Sequence, residues 1–578
     1  MHINRSASIL WLFIYLFFSL NSQAQYINES MVIKKQYNFV NPLDIPLFLS
    51  GNFGEPRSTH FHTGLDIRTG ARTGLNIYSI DDGYISRIGI SGKGYGKVIY
   101  ITHPQHQMTS VYAHLDNFSE RVNEYIKAIQ YSTKQSEMDT ILPPNYIKVK
   151  KGEVVALTGN TGGSGGPHLH FEIRDSKNDE AINPELVGFK IRDEIAPSVF
   201  AIKLYDLGPR KIEANGRIMP LKRVADYFTP STTTINVNAN DIGISVEAID
   251  KSFNSIGRNG IYQMKMYKNK NLVFESKMNR IHFEDWRYSY SYTDCGERMK
   301  HDAIFHKCFV DECNEAKIYE MHENRGIIHI QDNIATLIEI ELFDKAHNVT
   351  KIKFVVEGNK DAPFFTYKPL AATENWLDCK MENLFEADDI KVIVPTFCLA
   401  DNIKFIYSVK PGPKYFSDIH QVHCNADPLL DSIYIEIKAK NLPSSLRSKA
   451  MIGYLDCGLV KFAGGDYKNG YVSTWFAKFA SYFITVDTSP PRVLSSNIIN
   501  HKKLAGNMIS FKITDYLSGI KNFQMMLDGV WTPMYFDAKT HHLFCKLEKS
   551  LAPGMHDLYL ELTDFKKNTS KHRYTFLK

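Results

Sequence analysis

Between residues 84 and 174, apolar and polar positions alternate in short runs. The runs are Tyr84–Ile90, Val98–His103, Ser110–Leu115, Glu153–Thr158 and His168–Arg174. A period of two places successive side chains on opposite faces of a strand. Glycines at 83, 92, 94, 96, 152, 159, 162, 163, 165 and 166 punctuate these runs. Closely spaced strands with glycine turns predict an antiparallel β module rather than alternating strand and helix. One stretch breaks the pattern. Phe118, Val122, Tyr125, Ile126 and Ile129 recur near the helical period, with Asn117 and Glu120 spaced as a capping box and Pro143-Pro144 at the end. A helical insertion over about 117–146 is expected, a hairpin packed on the sheet edge and walling the groove.

After Ala196 the chain is strand-rich. Ala248-Ile-Asp250-Lys-Ser-Phe-Asn254, Leu342-Phe-Asp344-Lys-Ala-His-Asn348 and Leu562-Thr-Asp564-Phe-Lys-Lys-Asn568 share one signature: a strand delivers an Asp, a turn follows and an Asn closes it. It resembles the last hairpin of bacterial immunoglobulin-like domains, and Asp487-Thr-Ser-Pro490-Pro491 looks like the linker before one. The expected organisation is all-β: a first module over 25–194, β-sandwiches at 195–270, 271–356 and 489–578, and a strand-rich stretch of undefined topology at 357–488. The Asp/Asn turns read as solvated, because no single loop gathers the six or more oxygens that calcium takes.

Length supports this division, since 578 residues exceed what one core accommodates. The net charge of +5 arises from 68 basic and 63 acidic residues with no block of one sign, so charge alone argues neither way on nucleic acid, which is not expected as a partner. At the N-terminus Arg5 precedes the apolar run Ile9–Leu20 and then Asn21-Ser22-Gln23-Ala24. That pattern predicts a secretory signal over 1–24, too short for a membrane span, and hence an exported product. Export permits disulfides, and among eight cysteines Cys295, Cys308 and Cys313 are the expected participants. His103 and His106 fall in a polar turn and read as solvated.

Four histidines and an aspartate stand out: His62-Thr-Gly-Leu-Asp66, Tyr112-Ala-His114-Leu115 and Pro167-His168-Leu-His170-Phe171. On a strand, His168 and His170 project from one face while Leu169 and Phe171 turn to the core. His62 and Asp66, separated by a glycine, add an imidazole and a carboxylate. Catalytic zinc takes three such protein ligands and one water. A base must also accept the water's proton, and His114 and His168 are the candidates. His60, two residues before His62, competes with it; the spacing to Asp66 favours His62 and leaves His60 to the groove wall.

These three motifs resemble those of the lysostaphin/LytM-type zinc endopeptidases, which cut peptide bonds in bacterial peptidoglycan. The likeness covers about residues 50 to 190 and extends to Gly94-Tyr95-Gly96, Gly152-Glu153 and Gly159-Asn160-Thr161-Gly162. It implies one zinc ion held by His62, Asp66 and His170. It implies a water activated with the help of His114 and His168, and stem or cross-link peptides as substrate. A cell-envelope protein is a further expected partner for the β-sandwiches. The alternative is a non-catalytic wall-binding protein or an activator of other wall hydrolases.

Overall fold

The computed structural model describes residues 37–207, 216–238, 240–362, 375–423, 427–548 and 550–578. The expected signal at 1–24 lies outside them. The architecture is all-β: an antiparallel sheet carrying one long helix, followed by β-sandwich domains.

The first sheet is antiparallel. Its central path runs Leu49–Gly51, Leu65–Arg68, His168–Asp175, Met108–Ala113, Lys97–His103, Gly83–Ile90 and Met138–Ile141. The His168 strand therefore lies between the Asp66 strand and the strand that ends at Ala113. Register places His170 opposite both Asp66 and Ala113. Leu65, Ile67, Leu169, Phe171 and Ile173 are fully buried on the other face, as the alternation requires. A one-residue slip would turn the polar set into this core, so burial itself specifies the register.

The insertion is one helix, Glu120–Thr133, and not a helical hairpin. Val122 and Ile126 bury its inner face. Asn117 does not cap it. Asn117–Phe118 instead pair with Ala156–Leu157, and Ser119 is the first flanking residue. The returning arm is the strand Met138–Ile141, which joins the sheet edge beside Arg87–Ile90. A helical period over a few residues did not extend past Thr133, where Lys134 takes a left-handed conformation (φ 53°) and ends the helix.

The division into sandwiches at 195–270 and 271–356 is corrected. Strands from Ser198–Asp206 to Val349–Gly358 belong to one connected set of twelve, around one core from Val199 to Val356. Gln263–Lys268 sits inside it, paired to both Asn271–Lys277 and Ala335–Phe343, so a boundary at 270 would cut a β-hairpin. This sandwich is also fused to the peptidase module. Ala181–Ile182 pair with Arg280–Ile281, and Tyr262, Met278 and Tyr292 enter the peptidase core. Among the described residues between 375 and 486, two five-stranded sheets and one two-stranded sheet surround their own core. The last unit, from Arg492, has a four-stranded and a five-stranded sheet.

The disulfide joins Cys313 to Cys379, tying the first sandwich to the next domain, and involves neither Cys295 nor Cys308. His103 is fully buried, not solvated; Nδ1 donates to the Asp82 carbonyl (3.0 Å) and Nε2 meets Ser110 Oγ (2.8 Å). The sheet's second neighbour strand covers it, which a view of the turn alone did not anticipate.

Candidate metal centre

Three of the five singled-out side chains converge. His62 Nε2, Asp66 Oδ1 and His170 Nδ1 lie 3.0 Å (His62–His170), 3.1 Å (His62–Asp66) and 2.9 Å (His170–Asp66) apart. All three residues are at most 5% exposed. Gly64 makes the convergence possible: a Cβ there would stand 2.5 Å from the Phe171 carbonyl oxygen. Any larger residue would push the His62 loop away from the His170 strand.

The outer nitrogens settle which way the rings face. His62 Nδ1 lies 2.7 Å from the Asn52 carbonyl oxygen, which can only accept, so Nδ1 carries the proton. His170 Nε2 likewise donates to Glu172 Oε1 at 2.7 Å. Both inner nitrogens therefore direct lone pairs at each other and at a carboxylate oxygen. Such a centre demands a cation. In a tetrahedral zinc site with bonds of about 2.05 Å, neighbouring ligand atoms stand about 3.3 Å apart, close to what is found here. The donor set of two imidazoles and one carboxylate, each oriented by an outer partner, fits zinc.

Electrostatics agree. Burial works against the Asp66 carboxylate, yet His62, Arg57 and the neighbouring imidazoles of His168 and His170 hold it well below the usual range. Burial opposes charge on His170 too, but hydrogen bonds to Asp66 and Glu172 lift it to about 9. Burial and the Arg57 guanidinium lower His62 to about 4. A single positive charge thus belongs at this centre, as a proton or as a metal ion.

His114 and His168 flank it. Their ring centroids are 4.8 Å apart, and that of His114 is 5.8 Å from that of His170. His114 follows the strand end at Ala113 with φ 60°, a left-handed conformation uncommon for a side-chain-bearing residue. Its N–H donates to the Tyr95 carbonyl (2.9 Å), and Nδ1 donates to the Thr161 carbonyl (2.9 Å). His168 Nδ1 meets the Gly166 carbonyl at 2.8 Å, and its Nε2 lies 3.3 Å from Asp66 Oδ1 without a hydrogen bond. In both rings the outer nitrogen is occupied, which leaves Nε2 as the basic atom. Burial, then the neighbouring His170 and His168, lowers His114 to about 3. His60 turns away, with its ring 5.4 Å from Trp286 and its Nδ1 2.8 Å from Thr59 Oγ1.

Sequence reasoning missed the residues behind the site. Glu172 is fully buried and collects Thr63 Oγ1 (2.7 Å), Tyr95 OH (2.5 Å) and His170, while its second oxygen receives Arg174 Nε at 2.6 Å. The signal was available: His168, His170, Glu172 and Arg174 continue one alternation on one face. Arg57, bonded to the outer oxygen of Asp66 and 3.5 Å from Glu55, carried no such signal.

The comparisons with known proteins agree with this geometry. Peptidase family M23 matches residues 60–131 and 128–184, and a Zu5-like domain matches 374–487, the stretch whose topology the sequence left undefined. The DD-carboxypeptidase/endopeptidase Mpg of Neisseria meningitidis serogroup B is 32% identical over 123 residues, 21% of this chain and 22% of the relative. The chain thus matches about a fifth of the length of that curated relative. Among solved structures, the catalytic domain of the M23 protein EnpA from Enterococcus faecalis is 24% identical, covering 25% of this chain and 92% of that one (TM-score 0.18). That of lysostaphin from Staphylococcus simulans is 22% identical, covering 28% and 94% (TM-score 0.17). Residues 60–184 are thus similar to peptidase family M23, and β domains follow that region in the chain.

Proposed function

We propose that the chain is an exported zinc metalloendopeptidase that hydrolyses peptide bonds in the stem or cross-link peptides of peptidoglycan. One observation carries the reading: two imidazole lone pairs and a carboxylate oxygen face one another within 3.1 Å, each ring oriented from behind by a carbonyl or carboxylate. His62, Asp66 and His170 would hold the zinc ion. Zinc in such a site supplies Lewis acidity, polarising a carbonyl and lowering the pKa of water to about 7.

The protein's own groups do the rest. The Thr161 and Gly166 carbonyls keep the protons of His114 and His168 on Nδ1, so each Nε2 is free to take a proton from the attacking water and return one to the leaving amine. Once protonated, the same nitrogens donate to the oxygen that gains charge as the carbonyl carbon becomes tetrahedral. Burial disfavours charge on His114 and so keeps its imidazole neutral before the reaction. The relative Mpg, named as a DD-carboxypeptidase/endopeptidase, supports a wall peptide as substrate.

The test is digestion of purified sacculi, with and without chelator, followed by identification of newly formed amine ends. His62→Ala or Asp66→Ala should abolish both zinc binding and cleavage, whereas His114→Ala should keep zinc and lose cleavage. Stoichiometric zinc in the His62 variant would overturn the ligand assignment. A zinc-loaded wild type that releases no peptide from any wall type would instead support a wall-binding or activating role.

A further inference from the structure

Two further carboxylate triads stand apart from the His62–Asp66–His170 group. Asp193, Asp250 and Asp344 form one, and Asp487, Asp515 and Asp564 the other; within each, one oxygen per residue lies within 4.8 Å of the others. The two are built alike. The first aspartate comes from the segment entering a sandwich, four residues before a proline: Asp193 before Pro197, and Asp487 before Pro491. Its Oδ1 accepts from the N–H two residues on, at 3.0 Å in both (Ile195 and Ser489). The second aspartate stands just beyond a strand, Asp241–Ile249 or Met508–Thr514. The third closes a hairpin whose asparagine donates Nδ2 to it at 2.6 Å, Asn348 to Asp344 and Asn568 to Asp564. The same Nδ2 reaches back to the first aspartate's carbonyl, at 3.5 Å from Asn348 and 2.9 Å from Asn568.

This pairing corrects the sequence signature. Asp344 and Asp564 are equivalent, but Asp250 corresponds to Asp515 and not to either of them. Asp250 ends a strand and bridges to Asn259 across a loop, where the signature suggested a hairpin.

The acidic clusters are not self-sufficient. Asp250 is 3% exposed, and its Oδ1 is buried without any hydrogen-bond donor; Ser255 Oγ and Asn259 Oδ1 of the same loop are buried and unpartnered too. In the second triad Asp515 Oδ2 and Ser518 Oγ are in the same condition. A buried carboxylate oxygen lacking a donor costs several kcal/mol in general, and like charges raise that cost. Burial, then Asp193 and Asp344, pushes Asp250 up to about 8, which is the response of a carboxylate whose neighbours repel it.

The geometry points to a calcium-class divalent cation at each triad, held by Asp193, Asp250 and Asp344 in the first sandwich and by Asp487, Asp515 and Asp564 in the last. All donors are hard oxygens, and ligands on opposite sides of calcium stand about 4.8 Å apart for bonds of about 2.4 Å. Each ion would fasten the entering segment, a strand end and a hairpin to one point. It would thereby fix the orientation of that sandwich on the domain before it. No single loop supplies the ligands, which is why the turns looked solvated when read one at a time.

The test uses the full chain, stripped of metal, reloaded with one equivalent of zinc and titrated with calcium chloride up to millimolar concentration. Two calcium ions per chain should bind, and the melting temperature should rise by several degrees. Asp250→Asn and Asp515→Asn should each remove one ion. In calcium-free buffer each variant should melt at or above the wild type, because neutralising one carboxylate relieves repulsion; in calcium each should melt below it. Magnesium at equal concentration should stabilise less. A wild-type chain that binds no calcium, or an Asp250→Asn chain that keeps the full calcium-dependent rise, overturns the proposal. So does a variant that loses stability equally with and without calcium, since that would make the triad a hydrogen-bonding element only.

Discussion

The carboxamide of Asn52 is clasped on both sides by the main chain of Gly260: Nδ2 donates to the Gly260 carbonyl at 2.8 Å, and the Gly260 N–H donates to Oδ1 at 2.7 Å. Asn52 belongs to the peptidase module and Gly260 to the first sandwich, 208 residues later. The Asn52 carbonyl in turn receives His62 Nδ1. The sandwich thus orients the imidazole of His62, a proposed metal ligand, through Asn52.

Asn52→Ala should therefore loosen His62 while leaving every ligand in place. Outer partners of metal-bound histidines are worth about 10- to 100-fold in affinity. A zinc titration against a competing chelator should register a loss of roughly tenfold. Unchanged affinity would mean that the backbone holds the carbonyl in place without the clasp.

Glu172 offers a harsher case. Glu172→Gln retains shape but removes the charge that balances buried Arg174 and receives the His170 proton. Zinc affinity should fall by about 10- to 100-fold. Denaturant unfolding should also show a loss on the order of 3 kcal/mol, since buried Arg174 then keeps only the exposed Asp179 carboxylate as a charged partner. Glu172→Asp, tested alongside, should recover less than the charge alone would predict if geometry matters.

The last sandwich touches the loop that holds His114. Tyr535 OH accepts from the Gly162 N–H at 2.9 Å, next to Thr161, whose carbonyl accepts from His114 Nδ1. Gly162 sits at φ 70° with its Cβ position 2.3 Å from Gly96 N, so this loop has no slack of its own. Tyr535→Ala should lower kcat on sacculi several-fold with zinc content unaltered. Equal turnover in variant and wild type would show that the loop keeps its shape without the contact.

Acid should destabilise the fold through His103. Burial lowers its pKa to about 4, against about 6.5 when unfolded. The unfolded chain then binds more protons between those values, so stability is complete above pH 6.5 and is lost as pH falls towards 4. The contribution is on the order of 3 kcal/mol. Thermal melts from pH 7 to 4 should show a flatter decline for His103→Gln than for the wild type. Parallel curves would assign the acid sensitivity to other groups.

Local pattern was enough to recognise the five polar residues of the centre, because strand alternation and a family motif both act over a few residues. Glu172 and Arg174 were within reach of the same alternation, had it been followed two steps past His170. Asn52 and Arg57 were not, since nothing near them in the chain marks their partners. The helical insertion was half legible: Val122 and Ile126 announced the helix, but the return strand depends on an open sheet edge at Arg87–Ile90.

From the sequence alone came the all-β class, carried by short-range periodicity, and, through a family resemblance, the choice of His62, Asp66 and His170, which the fold brings together. Tertiary structure alone decided that one sandwich occupies 198–358, that Gly260 steadies His62 through Asn52, and that six aspartates gather into two triads. Those relations join residues dozens to hundreds of positions apart. Their energetics depend on which surfaces are buried together, and no local pattern of side chains encodes that.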